Sequence, residues 1–353
     1  MSVENHTPFS AMAFRQYNLA GEMLGVVVVR GTFLLTNDGP LALDREQAPL
    51  VLSDQYDGDD PHQSNLVTQG DLVPFKPTSD VTFAGAAYTD DGEPQASWTC
   101  GLTVGPVHKD LRVHGPRYWV AETGALPLPF AGKRNWRLSA AQPVPYVVLG
   151  WDKAYGGPVP APEDAAPERF EANPLGCGIV NDHIAGDVER VPAPQIEAID
   201  QPIASPSHEY APENLAPIPP FWPQRLEYAG TYDDDWIKDR HPLLPKDFEF
   251  RFWQCAHPDL ITETWLTGDE SFELRNLLHR YPVFRGRLPG IKMQMELARP
   301  KGIGVAPLVL DGVHFDMRPG VGRVFLTWRA SFPWEDGRGL PVLRAVETLP
   351  EAV

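Results

Sequence analysis

Proline sets the first limit on what this chain can fold into. The sequence holds 38 prolines among 353 residues, about twice the usual share. Proline fixes φ and removes a backbone donor, so this density limits helix and favours short strands joined by structured loops. The rest of the composition is globular: 42% hydrophobic and 22% charged residues supply enough apolar surface for a core. The length suits two β-rich domains, or one large domain with a long insertion.

Residues 1–150 read as antiparallel β. Residues 24–35 are β-branched and nearly all apolar, as in a strand buried on both faces. Residues 80–88, 96–105 and 107–113 follow, each bounded by Gly, Pro or Asp. Asp-Gly pairs at 38–39, 91–92 and 311–312 suit tight hairpin turns, and those at 57–58 and 336–337 read as loops. From Pro158 to Pro245 there are sixteen prolines and little periodicity. This stretch also carries Phe170, Phe221, Trp222, Tyr228, Tyr232 and Trp236, which a loose linker would not use. It is expected to be an ordered arm packed on the β regions, with Trp222, Tyr232 and Trp236 largely buried. Further on, 269–280 has Phe272, Leu274, Leu277 and Leu278 in helical array and ends before Pro282. Residues 291–297 alternate, and 306–310, 313–317 and 322–332 predict a hairpin followed by a long strand. The expected fold is therefore mainly β: antiparallel, sandwich- or barrel-like domains, a long Pro-rich ordered arm and about one helix. The expected divisions are an N-terminal β domain at 1–150, the arm at 151–246 and a C-terminal β region at 247–353.

The net charge of −17 repels nucleic acid and anionic lipid, so neither is an expected partner. Charge is uneven: residues 275–344 hold 12 Lys/Arg against 5 Asp/Glu. That basic stretch could receive an acidic partner, or its Arg stems could cover strand faces. Cys100, Cys177 and Cys255 are widely spaced, which argues against a disulfide framework and a zinc site. No secretory signal opens the chain, and the apolar run at 23–29 is far short of a membrane span. The expected location is the cytoplasm.

No catalytic signature is present: no G-x-S-x-G elbow, no H-E-x-x-H helix, no phosphate loop and no dinucleotide fingerprint. Neither enzyme activity nor a cofactor is expected. Asp54, Asp57, Asp59 and Asp60 with His62 could offer oxygens to Ca²⁺, but their spacing departs from the EF-hand and a solvated turn explains them. Asp233, Asp234 and Asp235 beside Tyr232 and Trp236 resemble glycosidase carboxylates in type only, because one linear run cannot flank a bond. The histidines show no ligand spacing, so no metal is nominated. Aromatic residues beside Gly and Arg are more suggestive of protein binding. Arg117, Tyr118 and Trp119, and Trp151, Tyr155, Gly156 and Gly157, combine hot-spot side chains with positions where a partner backbone can come close. Asn173, Tyr232 and Trp236 complete the candidate partner-binding set. The competing reading of such clusters is aromatic core at strand ends.

Nine stretches, in order, carry a family resemblance from about Phe14 to Leu340: VVVVRGTF from Val26, Asp54–Tyr56, DLVPFKP from Asp71, DVTFAGAA from Asp80, KDLRVHGPRYW from Lys109, WDKAYGG from Trp151, NPLGCG from Asn173, GTYDDDW from Gly230 and PLLPKDFEFRF from Pro242. Together they resemble a domain-of-unknown-function family found beside type VI secretion spike and effector genes. The resemblance implies an adaptor or chaperone that holds a secreted effector, or its spike-tip domain, and loads it onto a VgrG/PAAR-type spike. It supplies no catalytic residues. Arg30 stands where the family usually has Lys, and Gly115-Pro116-Arg117 replaces the commoner Gly-Asp-Arg. The alternatives are an intracellular carbohydrate-binding β module and a glycosidase-like or metal-dependent hydrolase.

Overall fold

The computed structural model describes residues 3–122, 135–161, 165–166, 168–184, 187–299, 302–334 and 341–346. The apolar run near the N-terminus becomes the long strand Met23–Leu34, buried without interruption from Gly25 to Phe33. It has a neighbour on each side, Ser10–Tyr17 and Arg323–Pro333, both antiparallel. These neighbours pair both of its edges, and packing buries its side chains on both faces of the sheet, which is why its sequence does not alternate. Val309–Asp316 continues this sheet, and Asp80–Ala84 closes it in parallel. A second sheet of five strands runs in the order Ile196–Ala198, Val107–His114, Ser97–Val104, Ser271–Leu278, Tyr281–Arg287, all antiparallel.

The two sheets share one core. Phe272 of the second meets Phe315 of the first edge-on at 5.3 Å, and Val27, Phe33, Leu102, Leu111, Leu274 and Trp328 lie in the same cluster. Each such enclosed side chain contributes about 1.5–3 kcal/mol relative to exposure. Strands from before residue 150 and from after residue 247 thus alternate in the same sheets. The protein is predominantly β, and among the described residues no sheet closes into a barrel.

The segment 269–280 corrects the helix expectation. Ser271–Leu278 is a strand, paired with Ser97–Val104 and with Tyr281–Arg287. Phe272 and Leu274 point inward at a spacing of two; the phase slips at Asn276, whose φ is +56°, and this places Leu277 in the core. The apolar positions fitted both periods, and the open edge of Ser97–Val104 selected the strand. Asp311-Gly312 is likewise no hairpin turn. It lies inside Val309–Asp316, where the register shifts by a bulge. The Asp91-Gly92 turn joins strands that pair with different neighbours. Asp336-Gly337 lies outside the described residues.

The Pro-rich arm is ordered over its described residues and holds both α-helices found there, Pro223–Leu226 and Asp234–Asp239. Prolines donate nothing, but their carbonyls still accept. Trp151 Nε1 donates to the Pro217 carbonyl and Arg117 Nε to that of Pro194. Trp222 is enclosed with Trp151, Ala154, Ala216 and Ile218. The expectation of burial fails for its two companions: Tyr232 is 52% exposed and Trp236 is half-buried. Both sit at the short helix Asp234–Asp239, which has no buried residue of its own.

Candidate functional site

The motif residues divide into an enclosed group and a displayed group. In the enclosed group, Trp151–Gly157 and Asn173–Gly178 fold onto one another, with Tyr155-Gly156 paired in parallel to Cys177-Gly178. The Asn173 side-chain amide donates to the carbonyls of Trp151 and Tyr155 at 2.8 and 3.0 Å. The Asn173 main-chain carbonyl accepts from Gly157 N at 2.8 Å. Gly157 has φ +88°, and a Cβ there would stand 1.9 Å from the Gly176 carbonyl. Only glycine fits. Trp119 donates to the Gly178 carbonyl at 2.9 Å and packs with Tyr155 and Tyr210.

Arg117 is buried on Glu197, Nη2 to Oε2 at 2.6 Å. His114 Nε2 lies 2.8 Å from the other Glu197 oxygen, and Ile203 N–H donates to Oε2. Burial opposes ionisation of Glu197, but these three partners prevail and hold its pKa at about 2. Thus Arg117, Trp119, Trp151, Tyr155, Gly156, Gly157 and Asn173 are all enclosed, and their contacts serve the protein's own interior. Tyr118 is half-buried beneath the Arg190 guanidinium.

Charged residues from other motifs also converge out of water. Arg30 pairs with Asp71 at 3.2 Å, Lys76 with Asp80 at 3.0 Å and Arg329 with Asp311 at 2.7 Å. They line a small space of about 40 Å³. His314 sits among them between the Thr68 and Thr82 hydroxyls, at 3.3 and 2.9 Å. Burial drives its pKa down to about 3, with Arg30 and Arg318 adding to the effect against Asp316. A space of this size suits ordered water rather than a substrate. The signal that could have disclosed the cluster was Arg30 itself, a charge inside an otherwise apolar strand; its partners, distant in sequence, gave none.

The acidic candidates also serve local structure. Asp54 accepts from Gly70 N, Asp57 from the Asn65 backbone and side chain, and Asp60 from His62 N and Gln63. Among the described residues no group of three or more His, Cys, Asp or Glu side chains is placed to hold a metal ion, and no helix is long and apolar enough to cross a membrane. The basic stretch is partly matched from within: Arg275 bridges Asp110, and Arg323 bridges Asp44 and Glu46.

The displayed group is the Tyr232–Ile237 projection. Asp233 caps the helix by accepting from Trp236 N at 2.8 Å, and Asp234 and Asp235 lie in its first turn, where the helix dipole favours carboxylates. Trp236 anchors it through Nε1 to the Leu243 carbonyl at 2.8 Å and meets Tyr232 edge-on at 4.7 Å. Arg240 ties the segment to the body through the Leu19 carbonyl. What remains outside is Tyr232 and Ile237, the latter 61% exposed, beside three carboxylates.

Residues 20–329 match the model of a family described as an uncharacterized protein conserved in bacteria (DUF2169). No curated protein and no solved structure matches the chain.

Proposed function

The chain belongs to this uncharacterized bacterial family, and we propose that it acts as a protein-binding adaptor. In this reading it holds a secreted effector, or the effector's spike-tip domain, and passes it to a VgrG/PAAR-type spike of the type VI secretion machine. The secretion machine enters through the nine-motif resemblance in the sequence. The observation that carries a binding role is the Tyr232–Ile237 projection, where an aromatic and an aliphatic side chain stand exposed on a helix anchored from behind by Trp236. A large side chain already held in place loses little entropy on binding, which is what makes anchors of this kind effective. The enclosed glycine and tryptophan motifs support the reading indirectly, by making the body that presents the projection rigid.

The test is co-purification from cells with an intact secretion cluster, followed by reconstitution with the purified effector and spike. The tagged chain should retain both. Absence of detectable binding to either at micromolar concentration, in every order of addition, would overturn the adaptor role.

A further inference from the structure

A groove of about 1040 Å³ runs along one edge of the five-stranded sheet. One wall is the Val107–His114 strand. Ser97–Val104 pairs with that strand along its whole length, but on the other side Ile196–Ala198 covers only Leu111, Arg112 and Val113. His114 N–H bonds the Gln195 carbonyl, which sets the phase of the ladder. In antiparallel pairing the residues that bond a given neighbour alternate. Arg112 therefore faces the short strand, and Asp110 and His108 present N–H and C=O to the same side. The ladder ends with Ile199 opposite Asp110; beyond it the chain bends through Gln201, and among the described residues no backbone hydrogen bond reaches His108 on that edge.

The opposite wall is drawn from the segment 258–264. Four carboxylates line the space, those of Asp200, Glu213, Asp259 and Glu263, against one lysine, Lys109; the Asp110 carboxylate is turned over Gly101 onto Arg275 at 2.7 Å. Lys109 is enclosed and already matched by Glu213 at 2.5 Å and Asp259 at 3.0 Å. Asp200 and Glu263 are exposed. A concave site with one sign of charge concentrates the opposite sign, and an unpaired strand edge is a template for another strand.

We propose that this groove accepts an extended peptide segment bearing lysine or arginine, which adds as a short strand to the edge at His108 in line with Ile196–Ala198. The open edge spans three residues, about 10 Å, so the main chain supplies affinity and the carboxylates supply selection. A second copy of this chain is a poor occupant, because its net charge is −17. The inference shares no residue with the Tyr232–Ile237 projection and does not rest on the adaptor reading.

The experiment titrates the full chain with a fluorescent peptide of alternating lysine and valine. It is compared with the same peptide carrying glutamate for lysine, and with two versions N-methylated on one or the other alternate set of residues. The lysine peptide should bind and the glutamate peptide should not. N-methylation should weaken binding at least about tenfold in one alternate set only, because only one set faces the edge. Replacing Asp200→Lys together with Glu263→Lys should weaken it by a similar factor with the melting temperature retained. No binding by the lysine peptide overturns the proposal. So does equal binding by both N-methylated forms, since charge attraction without strand addition would then explain the affinity. Only purified chain and peptide take part, so the outcome is independent of whether an effector is captured.

Discussion

Arg30 and Asp71, 41 residues apart in the chain, meet in a buried ion pair at 3.2 Å. The Arg30 guanidinium also lies 4.1 Å over the Phe325 ring, and Asp71 accepts from Val51 N at 2.7 Å. The pair therefore joins the central strand to the segment beside it and to the C-terminal strand Arg323–Pro333. Its main effect is on which segments sit together, because a buried ion pair adds little net stability while breaking one is costly.

Arg30→Ala should lower the unfolding free energy by about 3–5 kcal/mol, since it leaves Asp71 charged and enclosed. Arg30→Lys should cost less, because an ammonium keeps the charge but loses the planar contact with Phe325. Urea denaturation of the two variants measures both values.

The glycine–asparagine fold at Trp151–Gly178 should tolerate no side chain at Gly157. Gly157→Ala combines a positive φ with a clash against the Gly176 carbonyl and should destabilise by more than ~3 kcal/mol. Asn173→Ala leaves the enclosed Trp151 and Tyr155 carbonyls without their donor, at about 1–3 kcal/mol for each. Thermal melts and proteolysis of the arm check both.

Effector retention should separate the displayed residues from the enclosed ones. Tyr232→Ala with Ile237→Ala should weaken retention by more than ~1 kcal/mol at an unchanged melting temperature. Arg117→Ala should lower retention only in step with stability, because it leaves Glu197 buried without its guanidinium. Binding and melting curves on the same preparations decide this. Loss of retention in stable Arg117→Ala would place the interface at that cluster instead.

Acid should destabilise the protein before its carboxylates titrate. Unfolded histidine takes up a proton near pH 6.5, whereas folded His314 does so only at about 3 and folded His257 at about 4. Between these values the unfolded state binds more protons, so stability falls as pH drops from about 6.5 towards 3. Asp311, whose carboxyl is pushed up by burial despite Arg329, works in the opposite sense. The His314 contribution is therefore read as a difference: His314→Gln should flatten the slope by up to ~1.4 kcal/mol per pH unit, seen in denaturant midpoints across the acid range.

Much of the scaffold was legible in the sequence because it depends on local chemistry. Residues 24–35 read as a strand buried on both faces, since no polar residue but Arg30 and Thr32 interrupts them. The proline density excluded long helices, and the arm's aromatics signalled order. Where two local patterns fitted equally well, the sequence could not choose. Residues 269–280 carried an apolar set compatible with helix and strand, and only the open edge of Ser97–Val104 settled the matter. The tertiary structure also decided burial. Trp222 and Trp236 both belong to the Pro-rich arm, yet one is enclosed with Trp151 and the other is only half-buried at a short helix. The partners of Arg30, Arg117 and Arg329 could not be read either, because each carboxylate lies far along the chain or beyond a bulge. The groove beside His108 exists because Ile196–Ala198 stops short of its neighbour's end. Propensity acts over a few residues and is written in the sequence; strand partners, burial and unpaired edges follow from where distant segments come to rest.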